Sequence, residues 1–379
     1  AYAELLKAEF ESVGVKDVKI TDKGIVMAYL PATEGLETMP AMGLIAHMDT
    51  SPEASGEPAQ WQVLDYQGGD IVLNKDKNIV LSLERFPGVA KYAGEQLVVT
   101  DGTTLLGADD KAGIAIIVET ARYFVEHPEI PHAKLCFAVT PDEEVGRGTE
   151  NFDIEEFGAQ YAYTFDGDEL GGFETETFNA AMVKVHFEGL NVHPGSAKNK
   201  MVNAIRMAMD FIARLPAESA PEKTEGHEGF FHPMGISGAV RGVDLKMLIR
   251  DHSNSRFEDR MNYVRKMVEE MNKVWGDRVS ADIKVQYHNL KNYLDKHPAV
   301  CNLAREAYRR IGVEIHEKPV RGGTDGARLS AKGLPTPNLF TGGMNYHGVY
   351  ECLSVTGIQR ALDLGIMLGK MSAEVKTLD

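Results

Sequence analysis

Five short segments of the 379-residue chain carry histidine or carboxylate side chains of the kinds that bind metal ions. A mixed set of imidazole and carboxylate groups without cysteine suits zinc, cobalt or manganese, and it offers too few oxygens for calcium. A folded loop has little structural reason to concentrate such side chains. They predict a metal-dependent catalytic centre, and the segments are HMD (47–49), GADDKAG (107–113), PDEEVG (141–146), FDGDE (165–169) and YHG (346–348).

The spacing within these segments suggests a role for several side chains. Two neighbouring metal ions need a bridging carboxylate, and Asp109 is the best candidate because the glycine and alanine before it let the backbone approach closely. His47 and Asp49 form a His-x-Asp pair, in which the carboxylate can bind the imidazole nitrogen that does not face a metal. Of the adjacent Glu143 and Glu144, one can bind metal while the other takes a proton from the attacking water.

Apolar, strand-like runs stand next to these polar segments. The clearest are AMGLIAH (41–47), KLCFAVT (134–140), YAYTF (161–165) and TPNLFTG (336–342). Helical patterns lie between them, as in an α/β fold, and Asp109 or Asp110 can cap a helix that continues to Phe124. Ligands of open α/β sheets bind beyond the carboxyl ends of the strands. We therefore expect the polar segments to converge at one edge of a mostly parallel sheet.

The stretch from 176 to 290 follows a different pattern. AMVKVHFEG and DIKVQYH predict half-exposed strands because apolar and polar residues alternate, and GISGAVRG and DLKMLIRD predict two more strands. Amphipathic helices are predicted over 201–215 and 257–275. Ser255, with Glu258 three residues later, predicts a capping box at the start of the second helix. The order βαββαβ predicts a ferredoxin-like α+β domain inserted into the α/β domain.

Composition and charge narrow the class of protein. The chain has 40 basic and 56 acidic residues, a formal net charge of -16, which argues against nucleic acid or an anionic membrane as a partner. Its length suggests two domains: residues 1–175 and 291–379 as a discontinuous catalytic domain, and 176–290 as the insert. Three widely spaced cysteines, no signal-peptide pattern and no long apolar run predict a cytoplasmic protein that does not span a membrane.

Longer motifs around these residues resemble the co-catalytic di-zinc metallopeptidase superfamily of carnosinases, aminoacylases and glutamate carboxypeptidases. The resemblance covers nearly the whole chain, and its superfamily motifs are GLIAHMDTSP, TLLGADDKAGIA, TPDEEVGRG, YTFDG and PNLFTGGMNYHG. NVHPG, TEGHEGF and RGGTDGA look more like the tripeptide aminopeptidases of that superfamily. The resemblance implies a metallopeptidase domain with an inserted lid and dimerisation domain. It also implies a further helical segment before Ala1.

The resemblance implies a ligand set for two zinc ions, for which cobalt or manganese can substitute. Asp109 bridges both ions. His47 and Asp166 complete one site, and Glu144 with His347 completes the other. Aspartate at position 166 favours aminopeptidases and dipeptidases, because carboxypeptidases and acylases tend to have glutamate there.

The same resemblance implies a reaction. Glu143 is the general base and Asp49 the group that orients the His47 imidazole, and a non-proline cis peptide follows Asp109. A water or hydroxide shared by the two zinc ions then attacks the amino-terminal peptide bond of short peptides, above all tripeptides.

Substrate-binding residues are implied for the inserted domain and the segment that follows it. His193 stabilises the developing oxyanion, and Arg250 binds the terminal carboxylate of the peptide. Asn203 and Arg321 are further substrate contacts on the same grounds. The resemblance also implies a homodimer formed through the inserted domain.

Other functions remain open at this point. A dipeptidase or an N-acyl amino-acid hydrolase of the same superfamily would share the metals and the base. A two-metal phosphoesterase would place basic groups near the metals, yet the motif segments offer Lys111 and Arg147 without a cluster. A non-catalytic binding protein would have no need of Glu143 beside a full set of ligands.

Overall fold

A computed structural model describes residues 1–57 and 59–378. Its helices are α1 (Tyr2–Ser12), α2 (Ala108–Glu126), α3 (Ile154–Phe157), α4 (Ala204–Arg214), α5 (Asn254–Trp275), α6 (Lys291–Leu294), α7 (Pro298–Ile311), α8 (Asp325–Ala331) and α9 (Val355–Ser372). Its strands are β1 (Asp17–Ile20), β2 (Val26–Leu30), β3 (Met42–His47), β4 (Trp61–Asp65), β5 (Ile71–Asn74), β6 (Ile79–Leu81), β7 (Gln96–Thr100), β8 (Leu135–Thr140), β9 (Tyr161–Gly167), β10 (Gly172–Glu174), β11 (Asn179–Glu188), β12 (Phe230–Ala239), β13 (Gly242–Asp251), β14 (Val279–Tyr287), β15 (His316–Glu317), β16 (Asn338–Phe340), β17 (Gly343–Met344) and β18 (Cys352–Ser354).

The chain divides into two compact units. The first comprises Ala1–Thr175, Tyr293–Lys318 and Thr324–Asp379, and the second comprises Glu176–Asn292 and Pro319–Gly323. The predicted α/β architecture with an inserted ferredoxin-like domain is confirmed. Within the described ranges, no helix combines the length and apolar character needed to span a membrane.

An eight-stranded sheet in the order β1-β2-β8-β3-β9-β16-β10-β15 forms the centre of the first unit. Its middle strands β8, β3, β9 and β16 are parallel, and β1, β2 and β10 join by antiparallel pairing. His47 pairs with Thr140 and Ile45 pairs with Thr164. This register brings the carboxyl ends of β3, β8 and β9 together, as expected for a ligand-binding edge.

Helices α2, α7 and α9 cover this sheet with apolar side chains. Phe137 and Phe165 are fully buried, and each such ring contributes about 1.5–3 kcal/mol of apolar burial. Helices α2 and α9 pack closely, because a Cβ at Gly369 would lie 2.3 Å from the Phe124 ring and one at Gly365 would lie 2.6 Å from the Thr120 hydroxyl. Glycine at these two positions therefore lets α9 approach α2.

A smaller four-stranded sheet, in the order β17-β18-β7-β4, belongs to the same unit. Met344 pairs with Cys352, so the segment between β17 and β18 forms a loop that carries His347. Leu97, Val99 and Cys352 are buried in the core of this sheet. The sequence patterns did not predict this sheet, whose function here is to support the His347 loop.

The second unit is an antiparallel sheet in the order β12-β13-β11-β14, with α4 and α5 packed against it. Val183, Val185 and Phe187 point to the core from alternate positions of β11, as the alternation predicts. The observed element order β11-α4-β12-β13-α5-β14 is the predicted βαββαβ order.

Two helix starts differ from the predictions, and a third agrees with its prediction. Ser253, and not Ser255, caps α5, since its side chain accepts the N–H of Arg256. Helix α4 starts at Ala204, later than the predicted 201, because the Asn203 side chain caps it. Asp110, one of the two predicted caps, caps the regular part of α2: its backbone angles are non-helical and its Oδ1 accepts the N–H of Gly113 at 3.1 Å.

Candidate metal centre

Strand ends supply the first group of candidate ligands. His47 is the last residue of β3 and is 2% exposed, and Asp166 lies near the end of the adjacent β9. The Nε2 atom of His47 lies 2.8 Å from Asp109 Oδ1 and 3.3 Å from Asp166 Oδ1. The donor atoms of one imidazole and two carboxylates thus lie close enough together to bind one metal ion.

Asp109 also belongs to the second group. His347 Nε2 lies 3.0 Å from Asp109 Oδ2 and 3.0 Å from Glu144 Oε2. The two oxygens of Asp109 therefore face two different histidines. The second oxygen of Glu144, Oε1, is buried and has no hydrogen-bond partner among the residues that the structure describes. Such an orphaned oxygen and a shared carboxylate are what a pair of divalent cations would satisfy, so these residues fit a di-metal site.

Burial and the crowding of acidic groups set the charges of this centre. Burial raises the pKa of Asp166 to about 7. Burial also raises the pKa of Glu143, and the charges of Asp166 and Asp325 add to this effect. Hydrogen bonds to Asp109 and Glu144 raise the pKa of His347 to about 10. The cluster therefore favours retained protons, and divalent cations would replace them on binding.

Asp49 holds the loop that carries the two adjacent glutamates. Its Oδ1 and Oδ2 accept the N–H groups of Glu143 and Glu144, each at 3.0 Å. The same Oδ1 lies 3.4 Å from His47 Nδ1, whose distance to the backbone oxygen of Asp49 is 3.2 Å. Asp49 thus links the imidazole of His47 to the backbone of Glu144. The His-x-Asp spacing predicts only the contact with His47.

Two further polar side chains bind ligand backbones and were missed by the sequence analysis. Asp110, which is fully buried, accepts the N–H of His47 at 3.0 Å. Asn338 accepts the N–H of Asp166 at 3.1 Å through its Oδ1. For Asn338, the available signal was an asparagine within the apolar run TPNLFTG. The peptide between Asp109 and Asp110 is cis, as the family resemblance implies.

Glu351 is the third residue that the sequence analysis missed. It follows the His347 loop and is 2% exposed. Its carboxylate accepts the N–H of Gly107 at 2.6 Å and that of Asp109 at 3.0 Å. An acid four residues after His347 was the only signal, and nothing in its local pattern separates it from a surface glutamate.

The candidate substrate residues His193 and Arg250 lie in the second unit. His193 is exposed and precedes a short 3-10 turn, where its Nδ1 accepts the N–H of Gly195 at 3.1 Å. Arg250 is half-buried near the end of β13, with its guanidinium 5.1 Å from the centre of the Tyr287 ring and a hydrogen bond to the Tyr287 hydroxyl.

Asn203 and Arg321 also lie in the second unit. Asn203 Oδ1 accepts the N–H of Ile205 at 2.9 Å at the start of α4. The Arg321 guanidinium donates to the backbone oxygens of Gly226 and Glu228 at 2.8 and 2.9 Å. Arg321 therefore attaches the TEGHEGF loop to the segment 319–323.

Comparison with known proteins identifies close relatives. The chain is 48% identical over 371 residues to a protein of Clostridium acetobutylicum named Peptidase T. This alignment covers 97% of this chain and 91% of the relative. It is 47% identical over 371 residues to a Peptidase T of Geobacillus kaustophilus, covering 97% of this chain and 90% of the relative. Residues 175–276 match the family model described as a peptidase dimerisation domain.

Solved structures share the same fold. Aminopeptidase PepT from Bacillus cereus has a TM-score of 0.78 at 25% identity, and the match covers 98% of this chain and 92% of that one. A tripeptidase from Staphylococcus aureus also has a TM-score of 0.78, at 22% identity and with the same coverage. A dinuclear metal binding peptidase of the M20 family from Bacillus subtilis matches 99% of this chain and 92% of its own, with a TM-score of 0.66 at 14% identity.

Proposed function

The chain belongs to the peptidase T family, and from this premise we propose that its two Asp109-centred groups bind two zinc ions. The protein is a metal-dependent tripeptide aminopeptidase, a hydrolase that cleaves the amino-terminal bond of short peptides. The observation that carries the metal assignment is the carboxylate of Asp109, whose oxygens lie 2.8 Å from His47 and 3.0 Å from His347.

Zinc is our choice of metal because each group combines one imidazole with two carboxylates. Such donors suit zinc, while cobalt and manganese bind the same atoms and can substitute. Metal analysis of the protein purified without added metal tests this choice. We expect two equivalents of zinc per chain, and manganese or cobalt in that sample would contradict it.

We assign the proton transfers to Glu143. Two bound ions would polarise the scissile carbonyl and lower the pKa of the attacking water. Glu143 removes a proton from the water as its oxygen bonds to the carbonyl carbon, and it passes that proton to the amine as the C–N bond breaks. Burial and neighbouring negative charges raise the pKa of Glu143, which suits a group that takes up and releases one proton.

Arg250 and His193 are our candidates for binding the substrate. The planar guanidinium of Arg250 can bind a terminal carboxylate through two parallel hydrogen bonds. The Nδ1 atom of His193 accepts a hydrogen bond from Gly195, so the neutral ring carries its proton on Nε2. That N–H can donate to the oxygen that becomes negative in the transition state. Asn203 and Arg321 stay hypotheses for further substrate contacts.

We also propose a cytoplasmic homodimer. The match of residues 175–276 to a peptidase dimerisation domain supports pairing through the second unit. Cys136, Cys301 and Cys352 are buried and form no disulfide within the described part of the chain, which suits a reducing compartment. Light scattering at several protein concentrations would test the dimer, and a single monomeric mass throughout would contradict it.

Product analysis by mass spectrometry tests the substrate class. The metal-loaded enzyme would be incubated with a mixture of dialanine, trialanine, tetra-alanine and N-acetyl-trialanine. We expect trialanine to disappear first and to yield alanine and dialanine. Faster loss of dialanine would indicate a dipeptidase, and faster loss of the acetylated peptide would indicate an N-acyl amino-acid hydrolase.

A further inference from the structure

We infer that Glu351 is a positioning residue of the di-metal centre, which holds the backbone of the bridging Asp109 in place. This inference rests on the proposed function, because it concerns the geometry of the same metal ligands. Glu351 is 2% exposed, and both oxygens of its carboxylate bind main-chain N–H groups of the Gly107–Asp109 segment.

The bound segment lies immediately before the residue that caps α2, since Asp110 accepts the N–H of Gly113 at 3.1 Å. Gly107 has a positive φ of 74° and no side chain, and Asp109 has non-helical backbone angles, so this segment is not part of the regular helix. Glu351 binds the N–H groups of Gly107 and Asp109 from a position 244 and 242 residues away along the chain. A distant carboxylate thus satisfies two backbone N–H groups of the non-helical segment that carries Asp109.

The position of Asp109 matters to both metal groups. Its Oδ1 faces His47 and its Oδ2 faces His347, so a shift or rotation of this backbone would displace donor atoms in both groups. His347 and Glu351 stand four residues apart in one segment. That segment therefore contacts Asp109 twice, at the carboxylate through His347 and at the N–H through Glu351.

Asp49 provides an independent example of the same arrangement. Its two oxygens bind the N–H groups of Glu143 and Glu144, just as the oxygens of Glu351 bind those of Gly107 and Asp109. In both cases a carboxylate that is not a proposed metal ligand binds the backbone N–H of a residue that is one: Glu351 binds that of Asp109, and Asp49 binds that of Glu144. Outer partners of this kind orient metal ligands, and their loss typically costs about 10- to 100-fold in metal affinity or activity.

Stability alone does not account for a carboxylate at position 351. Burying a charged group is costly, and apolar replacements of buried charges are often neutral or stabilising. The two charge-assisted hydrogen bonds offset part of that cost, and both are made to the ligand-bearing segment. Their placement is what we expect if the carboxylate is there for the geometry of Asp109.

The test uses Glu351→Gln in the full-length chain. Glutamine keeps the shape of the side chain, but only one of its terminal atoms can accept an N–H. Glu95→Gln is the matched control, because Glu95 accepts the Ser354 hydroxyl at 2.9 Å next to the same β18 strand without binding a ligand segment. Zinc affinity is measured by competition with a chromogenic chelator, together with the melting temperature in excess chelator, kcat and KM.

We expect Glu351→Gln to weaken zinc binding by about 10- to 100-fold and to lower kcat with little change in KM. Its melting temperature in chelator should match that of Glu95→Gln. Unchanged zinc affinity, or a loss that Glu95→Gln reproduces, would overturn the inference. If Glu351→Gln does not fold, Glu351→Asp decides by the same criteria, since it keeps the charge but is too short to reach both N–H groups. Failure of the wild type to cleave trialanine would refute the proposed function, and the zinc affinities would still test Glu351.

Discussion

The two units of the molecule hold their candidate functional groups in different ways. In the first unit, buried side chains bind the backbone beside the ligands: Asp110 binds the N–H of His47, and Asn338 binds that of Asp166. In the second unit, His193 stands exposed at a turn, and Arg250 is half-buried near a strand end. The difference indicates a candidate metal centre whose ligand backbones are held by buried side chains, and candidate substrate-binding groups that lie closer to the surface.

The loops of the first unit show why such fixation is needed. Carboxylates that share a small volume repel one another, and burial raises the pKa of Asp166 to about 7. Hydrogen bonds to backbone N–H groups hold these segments in place against that repulsion.

The largest expected effect concerns the base in the first unit. Glu143→Gln should lower kcat by about 10²- to 10⁴-fold, because the attacking water loses its proton acceptor. Metal content should stay at the wild-type value, since our ligand is the neighbouring Glu144. Steady-state kinetics on trialanine and metal analysis measure both quantities. Asp142→Asn, a change of the exposed acid next to it, is the control, and an equal loss there would refute the assignment of Glu143.

A smaller effect is expected for a substrate group of the second unit. Arg250→Ala should lower kcat/KM on trialanine by about 10- to 100-fold, the cost of a lost bidentate ion pair of roughly 1.5–3 kcal/mol. Metal content should not change, because Arg250 belongs to the other unit.

Amidated trialanine provides the control for Arg250. This peptide lacks the terminal carboxylate, so wild type and Arg250→Ala should cleave it at similar rates. A loss of the same size on the amidated peptide would show that Arg250 acts on something other than that carboxylate.

The buried acids of the first unit should also make its stability depend on pH. Burial raises the pKa of Glu174 from 4.5 to about 8, so between these values the folded chain binds a proton that the unfolded chain has released. The free energy of unfolding should therefore fall as pH rises through this range. Glu174→Gln keeps an oxygen for Asn338 and removes this dependence.

Urea unfolding across that pH range measures the effect for Glu174. The variant should gain stability relative to wild type as pH rises, whereas the exposed Glu155→Gln should not. Parallel curves for wild type and Glu174→Gln would mean that this acid is not held protonated in the folded chain.

The smallest effect is expected at a helix cap of the second unit. Asn203→Ala should lower the free energy of unfolding by about 1 kcal/mol, because α4 loses the oxygen that accepts the N–H of Ile205. Asn203→Asp keeps an accepting oxygen and should restore stability. If Asn203→Asp restores stability and kcat/KM still falls, the amide of Asn203 contacts the substrate. Asn203 would then both cap a helix and bind substrate.

The strands and helices that have strong periodicity were predictable from the sequence. The alternation of Val183, Val185 and Phe187 predicted β11, and buried runs ending at His47 and Thr140 predicted two central strands. The smaller sheet was not predictable, because its strands β17 and β18 have two and three residues and β18 pairs with the distant β7. Short strands carry too little periodicity, and their pairing depends on the surrounding chain.

The candidate ligands were predictable because chemistry restricts their residue types. Histidine and carboxylate groups in five segments indicated a metal centre bridged by Asp109, and the family resemblance implied His47, Asp166, Glu144 and His347 as its other ligands. The structure brings these five residues into the two groups around Asp109. Local caps were less predictable: Ser253 and Ser255 are equally good capping residues, and backbone geometry selects the former.

The sequence by itself determined the chemistry of this protein: the donor types, the fold class and the family motifs are all local properties of the chain. Only the tertiary structure decided which residues hold those donors in place. Glu351 meets Gly107 across 244 residues, and Asn338 meets Asp166 across 172. Such contacts exist only after the strands and loops have packed, because a buried polar side chain takes whichever unsatisfied N–H the fold places beside it.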